Sequence, residues 1–414
     1  MVGIIFPRLE HHWLPELVST MSVASAQAIC SAVASGMMAL TGIVFSMAFV
    51  MVQFSATAYS PRLVLWVARD PVLSHALGIF SSTFLYALMM LAWVDRNKAS
   101  TVPLISGWMT LALLLASMGM FIALIERIAV LQVNRMLIFT GEQGRRAIHK
   151  LYSAPVSAPA NPVELDPARV TQTVIYAGRP QVVQAIHVAE LVHLAKASDA
   201  VVEVVAAVGD TVLEGSPLLR VIGARQTLVE ERLKAAFEIG DERTFEQDPK
   251  FALRILVDIA IKALSPAVND PTTAVQALDQ IEDLLIRLGH CQLDIGGICD
   301  DQGAPRTIVP FPTWDDFLRL GLDEIRSYGG SSVQVMRRMN ALIQNLHQLL
   351  PSNRHAALKY WEKRLQGTVK RSFIDRTEKQ DASVPDRQGL GIGEEKPGEE
   401  KQPAQNFKDS AKQE

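Results

Sequence analysis

Three long stretches of the chain carry no Asp, Glu, Lys or Arg: 17–61, 71–94 and 99–125. A helix needs about 20 mostly apolar residues to cross the hydrocarbon core of a bilayer, and each stretch supplies them. One such segment could be the buried helix of a soluble fold. Three in succession, broken only by the polar segments 55–76 and 95–103, point to lipid instead. The predicted spans are 28–54, 77–94 and 104–128, within a transmembrane region 1–150, and the lipid bilayer is the first expected partner. The start, Phe6-Pro7-Arg8-Leu9-Glu10-His11-His12, is not a basic segment leading to a cleavage site, so no signal peptide is expected.

Composition narrows the partners further. The 414 residues are 49% hydrophobic and 20% charged, with a formal net charge of −3, which gives no reason to expect nucleic acid. Three cysteines, Cys30, Cys291 and Cys299, are too few for a disulfide framework, and Cys291 and Cys299 beside His290 match no common zinc spacing. Unligated thiols and no cofactor are expected.

Lys and Arg in short loops set the orientation of a multi-pass protein. Arg62 and Arg69 lie between spans one and two, and Arg127, Arg135, Arg145, Arg146 and Lys150 follow span three. Arg96 and Lys98 occupy the other loop, and Arg8 precedes the first span. Placing the larger set inside puts the N-terminus outside and everything after about residue 130 in the cytoplasm. Free cysteines in the second half agree with a reducing compartment. The expected location is the bacterial inner membrane, multi-pass.

Span one is rich in small residues four apart: Ala32 and Gly36, Ser35 and Ala39, Gly42 and Ser46. Such spacing lets helices approach closely in lipid, although ordinary membrane composition also produces it. Gln53 either bonds across helices or reaches the interface. Tyr59-Ser60-Pro61-Arg62 reads as an interfacial stop. Gln53 and Arg62 are the candidate polar residues of the membrane region.

Residues 151–168 are a linker, Pro/Ala/Ser-rich over 153–167. A small β-rich module follows at 169–225, with strands at Thr171–Tyr176, Gln181–Ile186 and Val201–Val205 and a short helix at His187–Lys196. The pattern V-x-x-x-G-D-x-V-x-x-G-x-x-L, Val205 to Leu218, resembles half of a barrel-sandwich fold, as in lipoyl and biotinyl carriers and membrane-fusion adaptors. A carrier needs a lysine on an exposed hairpin. The one lysine in 171–223 is Lys196, on the predicted helix, so no covalent prosthetic group is expected. Residues 226–371 read as mostly helical: Thr227–Ile239, a helix entered at Asp248-Pro249, another entered at Asp270-Pro271, one opened by Thr313-Trp314, one over 333–349 and one over Ala356–Gly367. Two short strands flank a turn within 293–311, where Asp300-Asp301 reads as solvated rather than metal-binding. From about Ser372 to 414 the chain is polar and reads as a disordered tail. The fold class is thus an α-helical membrane region plus an α+β soluble region: three transmembrane helices, a small β-rich module and a helical C-terminal part.

The least ordinary segment is Ser265-Pro266-Ala267-Val268-Asn269-Asp270-Pro271-Thr272-Thr273. Pro266 ends one helix, Asn269 tolerates turn geometry, and Asp270 with Pro271 begins the next. Capping explains the Asp-Pro pair. It does not demand the whole set, and Ser265, Asn269, Asp270, Thr272 and Thr273 could hold an anion or a partner's polar group at the helix N-terminus. Both readings stand at this point. No P-loop, G-x-S-x-G elbow or H-E-x-x-H helix occurs, and the nine histidines are scattered, so no catalytic residue is assigned and the chain leans away from an enzyme.

This corner, together with GIVFSMAFVMVQFSATAYSPRL (42–63), GIFSSTFLYALMMLAWV (78–94), VVQAIHVAELVHLA (182–195) and TWDDFLRLGLDEIRSYGGSS (313–332), resembles the DUF2254 family of predicted bacterial membrane proteins over most of 15–350. The resemblance implies architecture and no activity. The family pattern usually has one more hydrophobic span upstream, so a start truncated relative to the family is an expectation; a restored span would put the N-terminus inside and leave the C-terminal half cytoplasmic. The leading functional expectation is a non-enzymatic, homo-oligomeric, channel- or transport-related membrane protein. The alternatives are a membrane-anchored sensor or scaffold that binds a small molecule or protein at the 265–273 corner, and an enzyme at the membrane surface.

Overall fold

The computed structural model describes residues 22–58, 71–96, 104–129, 133–152, 154–156, 167–293, 295 and 297–391, with Glu10 and Trp13 besides. Three helices, α1 (Val23–Ala58), α2 (Pro71–Arg96) and α3 (Leu104–Ala129), are long and apolar enough to cross a membrane. They coincide with the three charge-free stretches, each starting at or before the predicted span. The α1–α2 and α2–α3 pairs pack closely, around Val33, Met37, Val44, Phe80, Ala87 and Leu124. The other sides of α1 and α3 leave large apolar side chains exposed, among them Phe45, Phe49, Leu115 and Ile122, as hydrocarbon contact requires.

A fourth helix, α4 (Val133–Leu151), follows α3 and was not predicted. It lies in the interval assigned to the transmembrane region, yet Met136, Leu137 and Ile148 belong to the soluble helical core. Its buried stripe includes Gly141 and Gly144 where hydropathy reading looks for bulky residues. The reason is close approach: a Cβ on Gly144 would stand 2.8 Å from Leu284 Cδ1 and 3.0 Å from Ala252 Cβ. Arg145 then ties α4 to Asp283 at 3.0 Å.

The soluble half has two cores. One is helical, built from α4, α7 (Pro249–Ala263), α8 (Pro271–His290), α9 (Trp314–Tyr328), α10 (Val333–Leu349) and α11 (His355–Ser372). Its helices begin as their sequences dictate. Asp248 accepts from Phe251 N, Thr313 and Asp316 form a capping box, and Ser332 accepts from Val335 N. The helix predicted at Ala356–Gly367 extends at both ends.

The second core is enclosed by two sheets and a helix. β1 (Val170–Ile175), β5 (Pro217–Ile222), β3 (Val201–Val204), β8 (Pro305–Ile308) and β7 (Gly297–Cys299) form a five-stranded sheet in that order. β4 (Thr211–Val212), β2 (Gln181–Ile186) and β6 (Phe237–Gly240) form a three-stranded one. Among the described strands, only β3 and β8 run parallel. Helix α5 (Val188–Ala197) contributes Leu191, Leu194 and Ala195 to the interior. The β-rich part therefore recruits strands from beyond residue 225. The helix predicted over Thr227–Ile239 is split into α6 (Glu230–Ala235) and β6, because Phe237 and Ile239 pair with Ile186 and Val183 of β2.

Two further expectations are corrected. Asp300 is not solvated: its side chain is 1% exposed and accepts from Gln302 N, Ala304 N and Arg306 Nε. Asp301 pairs with Lys196. Residues 373–391, read as part of a disordered tail, are ordered. Helix α12 (Arg376–Ser383) buries Ala382, Asn340 Nδ2 donates to Ala382 O at 3.0 Å, and Asp386 N donates to Arg337 O at 3.3 Å. Residues 392–414 of that tail lie outside the described residues.

Arg306 bridges Asp300 and, at 3.1 Å, Asp199, and holds both carboxyls below the usual carboxylate range. Since the folded values are depressed, this contribution is complete above the unfolded value of about 4 and is lost as pH falls through the folded value. Thermal unfolding of the protein is expected to shift down on acidification below about pH 4, and Arg306→Gln to flatten that slope. An unchanged slope in the variant would remove the bridge from the explanation.

Candidate functional site

The 265–273 corner joins α7 to α8, and most of its polar groups are spent on the turn itself. Ser265 Oγ donates to Lys262 O at 2.7 Å. The backbone N–H of Asn269 returns to Ser265 O at 2.8 Å, and that of Asp270 to Ala263 O at 2.8 Å. Asn269 adopts a positive φ of 50°, in the left-handed region that asparagine tolerates better than most residues. Asp270 accepts from Thr273 N at 3.1 Å and from Thr273 Oγ1 at 2.6 Å. The corner thus brings Ser265, Asp270 and Thr273 into one capped turn. Asn269 and Thr272 are exposed, and among the described residues their side chains make no hydrogen bond. Asp270→Ala is expected to lower the protein's unfolding free energy by about 1 kcal/mol, the usual worth of an N-cap. Chemical denaturation would read it, and a loss near zero would mean that the cap carries nothing here.

The membrane candidates separate. Arg62 lies outside the described residues. Gln53 is exposed on α1, seven residues beyond Ser46, which is itself seven beyond Ala39 and fourteen beyond Ala32. A spacing of seven keeps residues on nearly one helix face. All six paired small residues, Ala32, Ser35, Gly36, Ala39, Gly42 and Ser46, are exposed. The stripe that packs on α2 and α3 is a different one, with Val33, Met37 and Val44 buried. A Cβ at Gly36 or Gly42 would meet nothing within 4 Å. The small-residue face of the first span is therefore turned away from the chain's own bundle.

Inside the bundle runs a polar seam that sequence reading missed. Thr83 Oγ1 and Ser117 Oγ lie 2.9 Å apart across α2 and α3, both buried. Ser106 and Thr110 line the same face of α3 nearer its N-terminus. There Glu10, 5% exposed, accepts from Ile105 N at 2.6 Å, from Ser106 N at 2.9 Å and from Ser106 Oγ at 2.6 Å. Its carboxylate caps the third span, which puts residue 10 at the end of the bundle where α3 begins, opposite the end from which α3 leads to the soluble half. The spacing of Ser106, Thr110 and Ser117 along one helix face is the signal that could have found the seam. Nothing local could have brought Glu10 to it.

Among the described residues no group of three or more His, Cys, Asp or Glu side chains is arranged to hold a metal ion. Cys291 and Cys299 are thiols outside any disulfide, and burial pushes the Cys291 thiol up despite the nearby Arg354.

A family model described as "Predicted membrane protein (DUF2254)" matches residues 1–345. An uncharacterized protein of Mycobacterium bovis, Mb1321c, is 27% identical over 365 residues, covering 86% of this chain and 70% of its own. An uncharacterized protein of Mycobacterium tuberculosis, Rv1290c, is similar to the same extent. No solved structure matches.

Proposed function

The chain belongs to the DUF2254 family of predicted membrane proteins, and we propose that it works as a homo-oligomeric, channel- or transport-related protein of the bacterial inner membrane, with its soluble half in the cytoplasm. The observation that carries this reading is the outward small-residue face of α1, with Gln53 on it. The three spans among the described residues do not readily enclose a polar path. A face of Ala, Ser and Gly, joined by Ile43 and Val50 toward Gln53, gains less from lipid than a bulky one and permits close approach of a second backbone at its small residues. Assembly through α1 would place Gln53 at the helix–helix seam, in line with Ser46, Ala39 and Ala32.

The cytoplasmic placement follows from the Lys/Arg excess after span three and between spans one and two. The soluble half is mechanically joined to the spans: α4 is wedged into the helical core through Gly144, and α1 touches α7. That linkage supplies a route by which the soluble half can influence the spans.

The test is ion flux through liposomes containing the purified full-length protein, beside the same protein carrying Gln53→Leu. Protein-dependent flux that the substitution alters is the expected result. No flux under voltage or osmotic load would count against a conducting role and favour the scaffold reading.

A further inference from the structure

Outside both candidate regions, α10, α11 and α12 surround a groove of about 700 Å³. That volume is within the range of small-molecule sites, about 300–1,000 Å³. Two of its three walls, α11 and α12, lie beyond the residues that the family model matches. Its lining includes Ile343 and Val369 as apolar surface, and His347, Glu362, Lys370 and Lys379 as polar groups.

Charge pairing around the groove is uneven. Three arginines of these helices are taken up locally: Arg337 with Asp381, Arg338 with Asp279 and Glu282, and Arg364 with Asp323. Lys370 and Lys379 have no such partner among the described residues, although both line the same cavity. His347 adds a second anomaly. Its Nε2 is buried and makes no hydrogen bond, with Glu362 Oε2 still 3.9 Å away. Burial and the His355 ring, 5.1 Å off, push its pKa down, so the ring is neutral near pH 7 and can serve as a hydrogen-bonding partner rather than a charge.

We propose that this groove binds a small organic acid, with its apolar body against Ile343 and Val369 and its anionic group reached by Lys370 and Lys379. An inorganic anion would leave the apolar floor wet. A neutral apolar molecule would leave both cations without a counter-charge. Among the lining residues Glu362 alone opposes an anion, which gives the proposal a sign that a merely structural role lacks.

The test uses the full chain in lipid nanodiscs, with octanoate and naphthoate as probes followed by saturation-transfer NMR and empty nanodiscs subtracted. Both probes are expected to bind. Lys370→Gln combined with Lys379→Gln should weaken them about tenfold, the effect of two partly exposed charges. Glu362→Gln should tighten them. Both sites are on the surface, so folding is checked by the unchanged unfolding temperature. Absence of binding above empty nanodiscs would overturn the proposal, as would equal affinity in the lysine double variant. Complete displacement of the probes by inorganic phosphate at matched concentration would overturn the organic-acid assignment.

Discussion

Arg338→Met is expected to destabilise the helical core by about 3–5 kcal/mol. Arg338 is 3% exposed and spans from α10 to Glu282 and Asp279 on α8. Glu282 is itself only 8% exposed and also accepts from Asn345 Nδ2 at 2.8 Å. Removing the guanidinium leaves a buried carboxylate with one amide for a partner, and the desolvation penalty of that charge sets the size of the effect. The pair itself is not the source of stability: Arg338 Nη1 already lacks a hydrogen bond. Accordingly the double variant Arg338→Met with Glu282→Leu should recover most of the loss, because two apolar side chains replace two buried charges. Denaturant unfolding of the four proteins closes the cycle. A double variant as unstable as the sum of the singles would show that the ion pair contributes more than it costs.

Gly36→Leu is expected to leave the chain folded and to dissociate its assembly. A Cβ at Gly36 meets nothing within 4 Å among the described residues, so no clash with the described helices is expected. In a close helix–helix seam the same leucine would hold the backbones apart, and small-residue interfaces depend on that approach. The expected shift is from oligomer to monomer, with secondary structure unchanged. Met38→Leu, at an exposed bulky position of the same helix, is the matched control and should leave assembly intact. Equal assembly in wild type and Gly36→Leu would mean that the small-residue face meets only lipid.

What could be read from sequence divides along physical lines. Features set by neighbours in the chain were legible. Charge-free length identified α1–α3, and the Asp248-Pro249 and Asp270-Pro271 pairs located the starts of α7 and α8 because capping is a local hydrogen bond. The 265–273 corner was legible as a helix stop and start for the same reason; that Asp270 accepts from Thr273 came from the structure. Features set by distant partners were not. Val229, Leu233 and Ala236 have helical spacing, but β6 forms because β2, more than 50 residues earlier, is there to pair with Phe237 and Ile239. Helix α4 hid its buried face behind Gly141 and Gly144, whose value lies in what they let approach. Segment 373–391 looks too polar to fold, yet Arg337 and Asn340 capture its backbone. In the membrane, the small-residue stripe was visible from spacing. Its direction was not, since only packing of Val33, Met37 and Val44 against α2 and α3 turns Ala32, Gly36 and Ala39 outward.

Assembly of the chain through its first span is the central claim, and the mass of the complex released from a bilayer tests it most directly. Native mass spectrometry of the full-length protein, ejected from lipid nanodiscs, should give a whole-number multiple of the 45.5 kDa chain mass. A single species at 45.5 kDa across the accessible concentration range would contradict it.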